Sequence, residues 1–244
     1  MSVTMRFLAV IAVSSGLAPG AAQAHQPQQA QQAQQAQQAQ QPQQAQPQPP
    51  QQAKQAKFSP AERDAKAREY FTDTVLKTQN NRPVKFYSDT LKGKVVVLSF
   101  MYTHCGDACP LITAKLVQVK NDLGDAFGRD VRFISISVDP EQDTPEELVK
   151  YARKFHPAHP EWIYLTGAKP GIEHVVKKLG AFSDSVENHS TAIIIGSPQQ
   201  GRWKKVRPDA PVKVIAEELR QLVAGEIEVR RTAAAAAPGN ARQP

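Results

Sequence analysis

The apolar positions of this chain follow two rhythms. In "GKVVVLSFM" (93–101) they run together, and in "VRFISISVD" (131–139) they alternate around Phe133 and Ile134. Both patterns, built on β-branched and aromatic residues, predict buried strands. "EWIYLTG" (161–167) and "STAIIIG" (190–196) predict two more, and "GRWKKVRP" (201–208) predicts a hairpin partner for the second. Between these runs the spacing changes to three and four. "PLITAKLVQVKNDLG" (110–124) places apolar residues at 112, 116, 119 and 123, the stripe of a helix buried on one side. "DTPEELVKYARKF" (143–155) adds a start signal. Thr144 caps, Pro145 suits the first helical position, and Glu147 reaches back to the cap. "KPGIEHVVKKLG" (169–180) predicts a helix closed by Gly180. "PVKVIAEELRQLVAG" (211–225) predicts the last one, with Val212, Ile215, Leu219 and Leu222 on one face. "SPAERDAKAREYFTDTVL" (59–76) predicts an opening helix from its Ser-Pro start.

Strands that alternate with helices pair in parallel and carry helices on both faces. A closing hairpin makes the sheet mixed. The fold class expected is therefore α/β, a thioredoxin-like sandwich with a mixed central sheet flanked by helices.

Composition changes the picture mainly at the ends. Residues 1–24 read as an export signal: Arg6, the apolar "FLAVIAV" (7–13), then Ala-Gln-Ala before His25. The apolar run is short for a membrane span, and Gly16, Pro19 and Gly20 interrupt it, so cleavage after Ala24 is favoured over retention as an anchor. No cysteine stands near that point to carry a lipid. Residues 25–58 are rich in Gln, Ala and Pro and read as a disordered tether. Residues 59–226 form one domain, and 227–244 read as a disordered tail. The net charge of +7 is spread among acids, without the basic patch and interleaved aromatics of a nucleic-acid surface. Export places the protein in the periplasm.

The chain has two cysteines, Cys105 and Cys109, both within "SFMYTHCGDACPLI" (99–112). They fall after a central strand and before a helix, where open α/β sheets place their sites. Pro110 is tolerated only in a first helical turn, so both thiols lie at or just before a helix N-terminus. Free amides and the positive end of the dipole there favour thiolate, and both thiol pKa values are expected to be depressed. A local disulfide would close too short a loop to stabilise by more than about 2 kcal/mol. The remaining readings are a redox dithiol and half of a metal site. Two sulfurs suit Cu(I), and an imidazole would complete a trigonal set.

Six histidines could supply it. His25 would begin the cleaved protein. His156 and His159 lie in a proline-rich loop and are expected to face solvent. His174 sits on a helix surface. His104 adjoins Cys105, but neighbouring side chains on an extended segment point apart. His189 precedes a core strand, and in a thioredoxin-like fold that loop faces the cysteine loop. Topology alone makes it a candidate and no more.

The residues from about 86 to 201 resemble the SCO/SenC proteins, copper-binding thioredoxin-like assembly factors for cytochrome c oxidase. The matching pieces are "GKVVVLSFMYTHCGDACP" (93–110), "ISISVDPEQDTPEEL" (134–148), "LTG" (165–167) and "HSTAIIIG" (189–196). The resemblance implies Cys105, Cys109 and His189 as copper ligands. It implies Cu(I) held by two thiolates and one imidazole, with Cu(II) taking a further, harder ligand such as water. It also implies a role in delivering copper to, or reducing the cysteines of, the oxidase's dicopper site. Partners would be the oxidase subunit carrying that site, a copper donor protein and a thiol reductase. The family usually has Pro after its first cysteine, where this chain has Gly106. Asp139 and Asp143 belong to the family's aspartate motif, yet a turn at Asp139-Pro140 and a helix cap at Asp143-Thr144 account for both. The alternative function is a periplasmic thiol–disulfide oxidoreductase that delivers no metal, with Cys105 and Cys109 as its catalytic dithiol.

Overall fold

Seven strands form one mixed sheet in the order β2-β1-β5-β4-β3-β6-β7. The computed structural model describes residues 58–156 and 158–236. The expected signal (1–24) and the tether up to residue 57 lie outside the described residues.

The strands are β1 Val75–Thr78, β2 Pro83–Lys85, β3 Val95–Met101, β4 Val131–Ser137, β5 Trp162–Thr166, β6 Ile193–Ser197 and β7 Arg202–Val206. The longer helices are α1 Pro60–Phe71, α2 Ala108–Leu123, α3 Pro145–Arg153, α4 Lys169–Lys178 and α5 Val212–Ala236. β3, β4 and β5 run parallel, β6 runs antiparallel to β3, and β7 closes the expected hairpin. All residues of β3 are buried, as its continuous apolar run predicts. Alternation along the strands divides the core into two layers. Val97, Phe133 and Ile195 face α2, α3 and α5. Leu98, Ile134 and Ile194 face α1 and α4.

Three expectations need correction. The opening helix stops at Phe71, where Thr72 turns to φ 64°. The segment expected to continue it forms β1, and a hairpin and a π-helical turn (Phe86–Leu91) follow. Strands of four and three residues carry too little pattern to be read. The α3 cap is half of the expected box: Thr144 accepts from the Glu147 amide, while the Glu147 carboxylate pairs with Lys150. The last helix does not end at Gly225, nor is the stretch from 227 irregular, because α5 continues to Ala236. Buried Glu226 accepts from the Ser197 hydroxyl and from Gln200, and Arg230 donates to the Gly93 carbonyl. These contacts hold the helix beyond its glycine. Residues 237–244 of the expected tail lie outside the described residues.

Gly196 faces Trp203 across the hairpin, and a Cβ there would stand 2.4 Å from the indole Cε3 and 2.6 Å from the Arg202 carbonyl. Gly196→Ala is therefore expected to lower stability by about 1–3 kcal/mol, read as a lower urea midpoint.

Candidate functional site

β3 ends at Met101 in the middle of the sheet, between β4 and β6. The chain leaves it through a short turn, with the Cys105 amide donating to the Tyr102 carbonyl at 3.2 Å, and enters α2 at Ala108. This turn is tied down from beneath by Asp143, which is fully buried. One carboxylate oxygen accepts from the Thr103 amide at 2.9 Å and the Thr103 hydroxyl at 2.6 Å, and the other accepts from the Ser137 hydroxyl at 2.6 Å. Thr144 alone caps α3. Asp143 is thus a brace for the cysteine loop rather than part of a cap. A Thr and a Ser placed to meet it in space leave no local signal in the sequence. Asp139 does make the expected turn, its carbonyl accepting from Gln142 and Asp143. Burial, then the charges of Asp143 and Glu141, push its carboxyl above the ordinary range.

Cys105 lies in the turn and Cys109 in the first helical turn, both free thiols and both buried. The Cys109 amide donates to Cys105 Sγ at 3.4 Å. The two thiols are unequal. Burial raises Cys105, but hydrogen bonds from the Cys109 thiol, the Asp107 and Cys109 amides and the Tyr102 hydroxyl outweigh it, and its pKa falls below the ordinary value. Burial also raises Cys109, whose thiol donates a hydrogen bond to Cys105 and so holds its proton more tightly, and it is pushed up to about 12. The expectation that both would be depressed holds for Cys105 only. Helix N-terminal amides serve the thiol that stands in front of them, not one packed into the helix.

His189 comes from the loop before β6, as topology suggested. The residue is 8% exposed. Nδ1 lies 2.8 Å from the Val186 carbonyl, which can only accept, so Nδ1 carries a proton, and in the neutral ring Nε2 presents its lone pair. Nε2 is 3.6 Å from Cys109 Sγ. The Tyr102 ring meets the imidazole edge-on at 5.4 Å. Among the described residues, no three His, Cys, Asp or Glu side chains are already converged on a single ion position. The structure thus brings the three expected residues into one buried cluster without closing them into a finished metal cage.

The other histidines stay apart. His104 is exposed beside the Thr103 hydroxyl, and His174 is exposed on α4. His156, expected in solvent, is buried: it stacks on Trp162 at 4.0 Å, with Nε2 2.9 Å from the Tyr164 hydroxyl. His159 is half-buried against Phe127. His25 lies outside the described residues. Gly106 is exposed, and an added Cβ would meet open space, so its surroundings do not require glycine.

A family model described as SCO1/SenC matches residues 65–224. The chain belongs to the SCO1/SenC family. It is 34% identical over 117 residues to the SCO1 protein homolog of Bacillus subtilis, a match covering 44% of this chain. It spans 60% of that relative's length and 42% of the length of the mitochondrial SCO1 homolog 1 of Arabidopsis thaliana. Among solved structures, copper-bound ScoI of Bradyrhizobium japonicum is 27% identical with a TM-score of 0.52, covering 61% of this chain and 96% of that one. BsSco, described as having a disulfide switch and as a member of the Sco family of cytochrome c oxidase assembly proteins, is 28% identical with a TM-score of 0.53. That match covers 62% of this chain and 91% of BsSco. The SCO fold and the thioredoxin-like class follow directly.

Three outcomes follow from this geometry. Alkylation of the reduced protein, mapped by fragment mass spectrometry against pH, should modify Cys105 at lower pH than an ordinary thiol and Cys109 only in strong alkali. Because the Tyr102 hydroxyl stabilises the Cys105 thiolate, Tyr102→Phe should move the Cys105 midpoint upward. Asp143→Ala should cost roughly 2–3 kcal/mol by leaving Thr103 and Ser137 groups without their acceptor, measured by urea unfolding.

Proposed function

We propose that this SCO protein is exported, carries copper as cargo on Cys105, Cys109 and His189, and serves the dicopper site of cytochrome c oxidase. The observation that carries the reading is the pairing of a buried dithiol with an imidazole whose free Nε2 stands 3.6 Å from Cys109 Sγ. Nitrogen and sulfur ligands of a first-row ion such as zinc lie about 2.0 and 2.3 Å from it, which separates them by roughly 3.6 Å at open angles. The donor set is soft, as Cu(I) prefers. The copper-bound state of ScoI and the oxidase role of the family of BsSco support the same assignment.

Each protein group has a task. Val186 holds the imidazole tautomer, as the outer partners of metal-binding histidines do. Asp143 holds the loop that carries Cys105. Cys105, the more acidic thiol, is the first to offer a thiolate, and Cys109 follows once a cation replaces its proton. Cu(II) would take a harder ligand in addition, such as water. A copper donor protein would load the site, and a thiol reductase would keep the pair reduced in an oxidising compartment. The periplasm, reached through a signal at 1–24 cleaved after Ala24, is that compartment. Among the described residues no helix is long and apolar enough to cross a membrane.

The inequality of the thiols favours a second task at the same site. The Cys105 thiolate attacks a disulfide of the oxidase subunit and forms a mixed disulfide, releasing one partner thiolate. Cys109 loses its proton and attacks Cys105, releasing the second partner sulfur as thiol. The partner gains two electrons, and Cys105–Cys109 becomes the disulfide.

Copper titration of the reduced protein, followed by X-ray absorption, should give one equivalent bound through sulfur and nitrogen. His189→Ala should weaken binding by at least roughly 10–100-fold, the scale of losing a group that sets a metal site. Binding well below one equivalent, or an unaffected variant, defeats the copper reading. Insulin reduction that persists undiminished in that variant would then leave the oxidoreductase reading standing.

A further inference from the structure

On the side of the sheet covered by α1 and α4, a cavity of about 610 Å³ opens between α1, the end of α4 and the β6–β7 hairpin. It is separated by the sheet from the layer that holds Cys105 and Cys109. Its floor is apolar, formed by Phe71, Leu179 and Ile194 with Trp203 as a wall. The Phe71 and Trp203 rings stand 4.8 Å apart. Its rim is cationic, formed by Arg63, Lys66, Lys178 and Lys205, while Lys204, which also touches the cavity, turns its side chain to the opposite layer. Among the described residues no Asp or Glu lines it.

The rim charge is only partly neutralised. Lys204 pairs with Glu218. Lys205 donates to the Gly180 carbonyl, which holds the ammonium without cancelling its charge. Lys66 lies over the Phe58 ring at 4.5 Å, within electrostatic reach of Glu62 one turn away, and Lys178 lies over the Tyr70 ring at 5.4 Å. Stacking of this kind keeps an ammonium beside an apolar wall with its charge intact. An apolar hollow ringed by such charges selects a ligand that is apolar in body and anionic at one end.

We propose that this cavity binds an amphiphilic anion, a single molecule with an apolar chain and a carboxylate or phosphate head. The chain would lie against Phe71, Leu179, Ile194 and Trp203, and the head between Lys66, Lys178 and Lys205. The volume falls in the range of small-molecule sites, about 300–1,000 Å³. A monomer fits better than a bilayer surface, because Phe71, Leu179 and Ile194 are 5%, 7% and 4% exposed and lie at the bottom of a hollow. A bilayer would require them to project. This site is independent of the copper reading and stands or falls without it.

Trp203 reports on occupancy, since the chain's other tryptophan, Trp162, is 1% exposed in the opposite layer. The full chain is titrated with dodecanoate and with dodecyl phosphate below their micelle concentrations, following tryptophan emission and calorimetric heat. Saturable binding of both is expected, with 1-dodecanol weaker by about tenfold or more, as loss of charge-assisted hydrogen bonds implies. Lys66→Gln/Lys178→Gln should weaken the anions by a similar factor and leave 1-dodecanol unchanged, with circular dichroism confirming the fold. Trp203→Phe should abolish the emission signal while heat is still released. The proposal is overturned by an absence of saturable binding, by equal affinity for 1-dodecanol, or by an indifferent double lysine variant. Binding seen only with phosphatidylglycerol vesicles overturns it in favour of a membrane-docking face. Binding seen only with an Asp/Phe-rich peptide overturns it in favour of a protein partner.

Discussion

A carboxylate with no exposure, Asp143, anchors the turn on which this SCO site is built. Buried charges persist only where hydrogen bonds replace water, and Asp143 receives them from Thr103 and Ser137. Ser137 ends β4, and Thr103 lies just beyond the end of β3. The carboxylate therefore clamps two neighbouring strand ends together and fixes where the chain turns toward α2. Tyr102, on one side of Thr103, then reaches both Cys105 and His189. Without that clamp the cysteine turn would be an exposed loop free to vary its spacing to His189.

The thiols differ because the fold treats them differently. Cys109 belongs to α2, where Thr113 donates to its carbonyl and the body of the helix excludes water. Cys105 sits in front of the helix and collects its amides. Cys109 is a residue of the first helical turn, while Cys105 stands before it and accepts from the Cys109 amide. On the proposed reading, such a pair serves either chemistry. A proton on Cys109 favours thiol exchange through Cys105, and a soft cation in place of that proton favours binding by both sulfurs.

Much of this was legible in the chain because it rests on periodicity and on chemically unusual residues. β3, β4 and β6 read directly from their apolar runs, and Pro110 located the start of α2 to within a few residues. His189 could be reached by topology as a candidate, and only the family resemblance singled it out as a ligand. What escaped were consequences of three-dimensional pairing. β1 and β2 are defined by backbone partners, not by pattern, and α5 outlasts Gly225 because Ser197, Gln200 and Gly93 are waiting for it. His156 reads as a residue of a proline-rich loop, yet it stacks on Trp162, whose position is set by a distant register with β4. The inequality of the cysteines likewise depends on which sulfur lies inside the helix, which spacing alone does not say.

The register of β6 links the site to the opposite side of the sheet. Ile195 pairs with Val97 in the layer beneath α2, while Ile194 pairs with Leu98 in the layer beneath α4 and floors the cavity there. At the next position Gly196 has no side chain, and Trp203 lies against the bare backbone. An indole held flat on the sheet in this way turns its other side toward the cavity, and Lys205, two residues on and on the same face, follows it onto the rim. The same strand is continuous with the loop that presents His189. A one-residue slip of β6 would therefore exchange Ile194 and Ile195 between layers, displace the indole and move the imidazole from Cys109 together. The hairpin register is thus constrained from both faces at once, and Gly196 stands where the indole of Trp203 needs bare backbone.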